Sequence, residues 1–218
     1  MCGIAGIAST DGKPIPRLAS SLAVLDSLVA HRGPDGNGTW ISPARTVGLA
    51  HRRLAIIDLS DAAQQPMVAP GPTAITYNGE IYNYLELRAE LSPNWKFHSN
   101  SDTEVILAAY DRYGTDCLGR LRGMFAFAVW DDRRHRLFCA RDRFGIKPFY
   151  YTLVGNRFVF ASEAKALLPF LPEIETDPAA LAEYLTFQYT IGEATLFRGV
   201  NQLLPGHALT VENGEVRI

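Results

Sequence analysis

Short stretches of β-branched and aromatic residues that alternate with polar ones recur along the chain at 48–54, 74–77, 124–130, 136–141, 148–153 and 157–162, separated by Gly, Asn and Asp. Period-two runs bounded by turn residues predict strands. Helical spacing of apolar positions predicts helices over 18–29, 81–91, 103–113 and 163–168, with Asp102 as N-cap of the third. The strands over 124–130, 136–141 and 148–153 are joined by links too short for a parallel crossover, so they pair antiparallel. The expectation is an α+β protein with largely antiparallel, helix-covered sheets. Beyond Leu168 the prolines at 169, 172 and 178 mark a candidate boundary, with a further helix over 178–187 capped by Asp177. The end reads as a hairpin turning at Asn213-Gly214, whose second strand runs to the last residue. That ending is expected of the front part of a longer polypeptide.

Composition narrows the function only by exclusion. The 218 residues carry 21 basic and 23 acidic side chains, a net charge of −2, so no electrostatic footprint for nucleic acid or an anionic membrane is present. Three cysteines, at 2, 117 and 139, show no CxxC spacing and leave one unpaired, against a disulfide framework or structural zinc. No segment has the form of a signal peptide or approaches ~18 uninterrupted apolar residues. A cytoplasmic protein whose partner is a small molecule or another protein is expected, with no nucleic acid, membrane or metal partner.

Six residues carry candidate chemistry. Cys2 follows the initiator Met1; once Met1 is removed, a thiol and a free α-amine share one residue. The amine's ordinary pKa of about 7.7–8.0 suits it as general base near neutral pH. Asn78-Gly79, after the apolar run ending at Tyr77, offers an amide and a backbone N–H for an oxyanion, or else a tight hairpin turn. Arg53 suits an amino-acid carboxylate, or a solvated strand position; Asp102 suits an α-ammonium, or only a helix cap. His31, in the turn-rich HRGPDG, is either structural or an internal base.

The segments MCGIAGI, HRGPDG, AHRRLAIIDLS, ITYNGEIYNY, SDTEVIL, LRGMFAFAVWD, ARDRFGIKPFYY and FASEAKALL, in this order over nearly the whole chain, resemble class II glutamine amidotransferases, and most closely the N-terminal half of asparagine synthetases. The resemblance implies an N-terminal-nucleophile hydrolase fold, an αββα four-layer sandwich of two mostly antiparallel sheets between helices. It implies hydrolysis of the glutamine side-chain amide to glutamate and ammonia through a thioester on Cys2. Asn78 and Gly79 would form the oxyanion hole. Arg53 would hold the substrate carboxylate, Glu80 and Asp102 its ammonium, and backbone near Ile56 would line the site. Residues 1–170 would be the glutaminase domain and 171–218 an extension towards a synthetase domain expected C-terminal to residue 218. No pyrophosphate-binding loop occurs, so no cofactor is expected in this chain, with ATP and Mg belonging to the absent domain. Some apolar surface would then be an uncovered domain interface. The acceptor and any homo-oligomer stay open, as does a non-catalytic, glutamine-sensing module in which Met1 is retained.

Overall fold

A computed structural model describes residues 1–69, 71 and 73–218. In chain order the elements are β1 (Gly3–Ser9), α1 (Leu18–Leu28), β2 (Gly36–Ile41), β3 (Val47–Arg53), β4 (Met67–Val68), β5 (Thr73–Ile81), α2 (Tyr84–Leu91), α3 (Asp102–Tyr113), β6 (Gly123–Asp131), β7 (Arg136–Arg141), β8 (Tyr150–Val154), β9 (Arg157–Ala161), α4 (Pro178–Phe187), β10 (Asn201–Gln202), β11 (Ala208–Glu212) and β12 (Glu215–Arg217). They form two six-stranded sheets, ordered β10-β8-β9-β1-β3-β2 and β12-β11-β7-β6-β5-β4, with antiparallel pairing throughout.

Side-chain parity builds the layers. In β1, Ile4 and Ala8 face the second sheet, where they meet Ala126, Ala128, Leu137 and Cys139, while Ala5 and Ile7 face Leu18, Leu22 and Leu25 of α1. In β6 the opposite set, Phe125, Phe127 and Val129, packs with Val105, Ile106 and Tyr110 of α3. The order is therefore helix, sheet, sheet, helix, the α+β sandwich expected. Both faces of each sheet are buried, and β-sheet hydrogen bonds satisfy the backbone between them.

Several local expectations are corrected. Strands β1 and β2 were not predicted, and Asn78-Gly79 is no turn: β5 runs on to Ile81, paired with Gly123. The helix expected over 81–91 begins at Tyr84, because Ile81 still belongs to β5. The helix expected over 163–168 is two 3-10 turns, Ala164–Ala166 and Leu168–Phe170. Ser101, not Asp102, is the N-cap of α3, its hydroxyl accepting from the Thr103 N–H at 3.1 Å. Helix α4 forms as expected, with the Asp177 carboxylate accepting from Ala179 and Ala180 N–H and Pro178 in the first turn. The hairpin between β11 and β12 turns at Asn213 (φ 52°) and Gly214 (φ 84°), the left-handed geometry an Asn-Gly turn supplies. Residues 171–218 contribute β10 to one sheet and β11 and β12 to the other. No helix among the described residues is long and apolar enough to cross a membrane.

Candidate active site

The alternation that builds the inter-sheet layer also brings chemistry to one end of it. Cys2 has the parity of Ile4, Arg53 that of Val47 and Leu49, and Asn78 and Glu80 that of Ala74, so all four turn towards the space between the sheets. They line a single cavity of ≈ 250 Å³, closed on the helix side by Asp102 and bordered by Ile56, whose side chain is exposed at the rim. All seven residues expected at the site, Gly79 included, border this cavity. Its volume is a little below the roughly 300–1,000 Å³ of drug-sized sites and suits an amino acid.

The Cys2 sulfur rests on the backbone of Leu54, accepting from its N–H at 3.3 Å and facing its carbonyl at 3.5 Å. Burial pushes the Cys2 thiol above its ordinary range, opposed by the Leu54 N–H, the chain's N-terminal amine, Arg53 and Lys147. Arg32 fixes the Cys2 backbone: its Nε donates to the Cys2 carbonyl at 3.0 Å while Nη1 donates to Glu163 at 3.0 Å. His31 shares that glutamate at 2.8 Å, is largely exposed and does not border the cavity. Met1 does border it, so with Met1 in place the Cys2 nitrogen is a peptide nitrogen rather than an amine.

Asn78 is almost fully buried, and its Nδ2 has no hydrogen-bond partner among the described residues. A buried amide donor left unpaired costs about 1–3 kcal/mol, a cost that an incoming oxygen would remove. Next to it Gly79 is required sterically, since a Cβ there would stand 2.3 Å from the Met124 carbonyl oxygen and 2.8 Å from the Phe125 Cα. The absent side chain lets β5 and β6 pair tightly beside the sulfur.

Two unlike charges complete the cavity without meeting each other. The Arg53 guanidinium is buried and held by the Ser60 carbonyl at 3.2 Å and the Asp58 carbonyl, both in the loop after β3. Among the described residues no carboxylate lies within ion-pair distance of it. Asp102 is buried too; its Oδ2 accepts from the Tyr77 hydroxyl at 2.7 Å and the Ile81 N–H at 2.9 Å. Burial pushes its carboxyl up, opposed by those two donors, and no cation pairs with it among the described residues. The side chain of half-buried Glu80 makes no hydrogen bond among the described residues. A buried cation and a buried anion, each oriented by neutral groups, are the complement of a zwitterion.

Sequence reasoning missed three members of this constellation. Tyr77 orients Asp102, a role its place beside Asn78 did not disclose. Gln65 accepts from the Tyr77 N–H at 2.7 Å and donates to the Thr103 hydroxyl at 3.2 Å, tying β5 to α3 beneath the cavity. Lys147 sits in a segment singled out for its resemblance but given no role.

The family model described as a glutamine amidotransferase domain matches residues 1–218. Asparagine synthetase [glutamine-hydrolyzing] 1 of Bacillus subtilis is 40% identical over 215 residues, covering 97% of this chain and 33% of that protein. Amidase chry2 of Gibberella zeae is 38% identical, covering 99% of this chain and 33% of its own length. The chain thus spans about a third of the length of these curated relatives. Among solved structures, the glutamine phosphoribosylpyrophosphate amidotransferase of B. subtilis superposes with a TM-score of 0.68 at 20% identity, covering 99% of this chain and 48% of that one. At that identity the likeness speaks for the fold alone.

Proposed function

The chain belongs to the glutamine amidotransferase domain family, and from that premise we propose that it hydrolyses the side-chain amide of glutamine at Cys2 and supplies the ammonia to an amidation carried out elsewhere. The carrying observation is the single cavity in which a thiol, an unpartnered Asn78 amide, and the mutually unpaired Arg53 and Asp102 meet.

In this reading glutamine lies with its carboxylate on Arg53 and its ammonium between Asp102 and Glu80, which directs the side-chain amide towards Cys2. With Met1 removed, the α-amine of Cys2 takes the thiol proton, and the sulfur attacks the amide carbon. The oxyanion gains the Asn78 amide and the Gly79 N–H. Collapse expels the amide nitrogen, which leaves as ammonia with the proton the amine returns to it. Water then attacks the thioester; the amine accepts a water proton, glutamate departs, and the thiol is restored. No histidine takes part. This chain needs no cofactor for these steps, while ATP and Mg would serve an acceptor domain outside it. The exposed apolar side chains Leu185, Phe187, Tyr189 and Ile191, at and after the end of α4, are surface that such a domain would cover. Relatives of comparable identity include both an asparagine synthetase and an amidase. The acceptor is therefore aspartate or another carboxylate, with aspartate favoured by the asparagine synthetase relative. A cytoplasmic setting fits the unpaired thiols at 2, 117 and 139.

The test is N-terminal. A preparation shown by intact mass to have lost Met1 should release ammonia from glutamine without ATP, whereas one retaining Met1 or bearing a fixed tag should fold and be inactive. Cys2→Ala should be inactive, and Cys117→Ala and Cys139→Ala should stay within a few-fold of the parent. Full turnover with Met1 in place would remove the amine as base. No turnover from processed protein that binds glutamine would favour the sensing module.

A further inference from the structure

Lys147 takes no part in that cycle, although it is only 6% exposed and borders the same cavity. Its position is imposed by the loop 141–147. Fully buried Asp142 accepts four backbone N–H groups: Phe144 and Ile146 on Oδ1, each at 3.0 Å, and Lys147 at 3.0 Å and Phe125 at 3.2 Å on Oδ2. Arg141 braces the loop from the other side, donating to the carbonyls of Lys147 and Gly145, each at 2.8 Å, and of Leu203 at 2.6 Å. So held, the loop sends Phe144 out to solvent at 81% exposure and turns Lys147 inward.

Strand order brings this residue to the nucleophile. Tyr150 of β8 pairs with Ala161 of β9, which pairs with Ala5 of β1, so the chain entering β8 reaches the sheet end where Cys2 enters β1. Yet the Lys147 ammonium has no hydrogen-bond or ion-pair partner among the described residues. The Lys147 Nζ is open to the cavity rather than sealed in packed protein, and a braced loop that presents an unpaired ammonium there points to an anion that appears during function.

We propose that Lys147 is a positioning residue for the nucleophile, its ammonium supplying the counter-charge that keeps the Cys2 sulfur anionic inside the cavity. The inference rests on the reading of Cys2 as nucleophile. The other charged or titratable groups bordering the cavity are the N-terminal amine, Arg53 from β3, Asp58 from the loop after it, Tyr77 and Glu80 from β5 and Asp102 from α3. Arg53 is committed to the loop carbonyls and the substrate carboxylate, and Asp102 to Tyr77 and Ile81, which leaves Lys147 as the cation without another duty. Burial drives the thiol towards its neutral form and Lys147 acts against it.

Alkylation of the processed protein by iodoacetamide as a function of pH reads the thiolate directly, without turnover. Cys117 and Cys139 are fully buried, and peptide mass assigns the label to Cys2. Lys147→Met should raise the apparent thiol pKa by about one unit, a roughly tenfold slower alkylation at neutral pH. Lys147→Arg should recover most of it, and the acid limb of the glutamine kcat profile should move up by the same amount with little change in KM. An unchanged alkylation profile in Lys147→Met would overturn the proposal; a rise in KM alone would do the same, since Lys147 would then serve Glu80 or the substrate. If Lys147→Met fails to fold by circular dichroism, Lys147→Gln takes its place with the same criteria. A wild-type protein that alkylates at Cys2 but releases no ammonia would count against the glutaminase reading and leave the alkylation comparison intact.

Discussion

Asp102→Asn keeps the shape of a buried side chain and removes its charge. The asparagine oxygen can still accept from the Tyr77 hydroxyl and the Ile81 N–H, now 2.7 and 2.9 Å from the carboxylate. What disappears is the charge that the proposed function sets against the substrate ammonium, and a charge-assisted hydrogen bond contributes about 1.5–3 kcal/mol, so the glutamine KM should rise roughly 10- to 150-fold. Stability should move the other way. Burial raises the folded-state pKa of Asp102 above its unfolded value, so the associated stability is fully present below the unfolded pKa and is lost as pH rises through the folded one. Asparagine, neutral at every pH, keeps it. The variant's thermal midpoint should therefore match or exceed the parent's at neutral pH, and the difference should close below about pH 4. The same titration should raise the parent's KM on the acid side, a dependence the variant should lack. Steady-state ammonia release and a melting series from pH 4 to 8 give both readouts. An unchanged KM with a lower midpoint at neutral pH would refute the reasoning and leave Asp102 as a structural acceptor for Tyr77 and Ile81.

Asn78→Ala should lower kcat by ~10²- to 10³-fold, the scale of losing one oxyanion donor, with KM changed only a few-fold; an equal effect on KM alone would assign Asn78 to ground-state binding. Arg53→Lys should raise KM substantially at nearly constant kcat, because one ammonium cannot keep the Ser60 and Asp58 carbonyls and also grip a carboxylate with a planar fork; isothermal titration with glutamine on Cys2→Ala protein measures this without turnover.

The strands readable in advance were those with contrasting sequence and clear turns, such as β7 and the Asn213-Gly214 hairpin. Strand β1, GIAGIAS, was hidden because the four-layer arrangement buries both its faces, erasing the alternation that marks a half-buried strand. Its glycines follow from the same crowding: a Cβ on Gly6 would stand 2.5 Å from the Phe160 ring. Strand β2, GNGTWI, carries the composition of a turn, and a Cβ on Gly38 would stand 2.3 Å from the Gln65 carbonyl oxygen. In β5 the dipeptide Asn78-Gly79 imitates a hairpin for a different reason: glycine permits the close approach to Met124, and asparagine faces the inter-sheet space.

That inward asparagine shows why the site was more legible than the strands around it. Polar residues turned into an inter-sheet layer need partners, and those with a purely architectural role have them: the Thr76 hydroxyl donates to the Ala50 carbonyl at 3.0 Å and stands 3.1 Å from His51 Nδ1. Burial holds His51 down at about 3, so it stays neutral; its Nε2 is the exception, without a partner among the described residues, but His51 does not border the cavity. At the cavity end the pattern changes, because among the described residues Asn78 Nδ2 and the charges of Arg53, Asp102 and Lys147 are left without opposite partners in one small space. A single unsatisfied group is an ordinary imperfection of packing. Several of complementary kind around one thiol are a recess shaped to be completed by a ligand; residue types raised amide, guanidinium, carboxylate and thiol as candidates, and the resemblance of the surrounding segments to class II glutamine amidotransferases singled them out. Lys147 escaped because a lysine is a surface residue by default, and only the Asp142 and Arg141 braces, formed once β7 and β8 are paired, turn it inward.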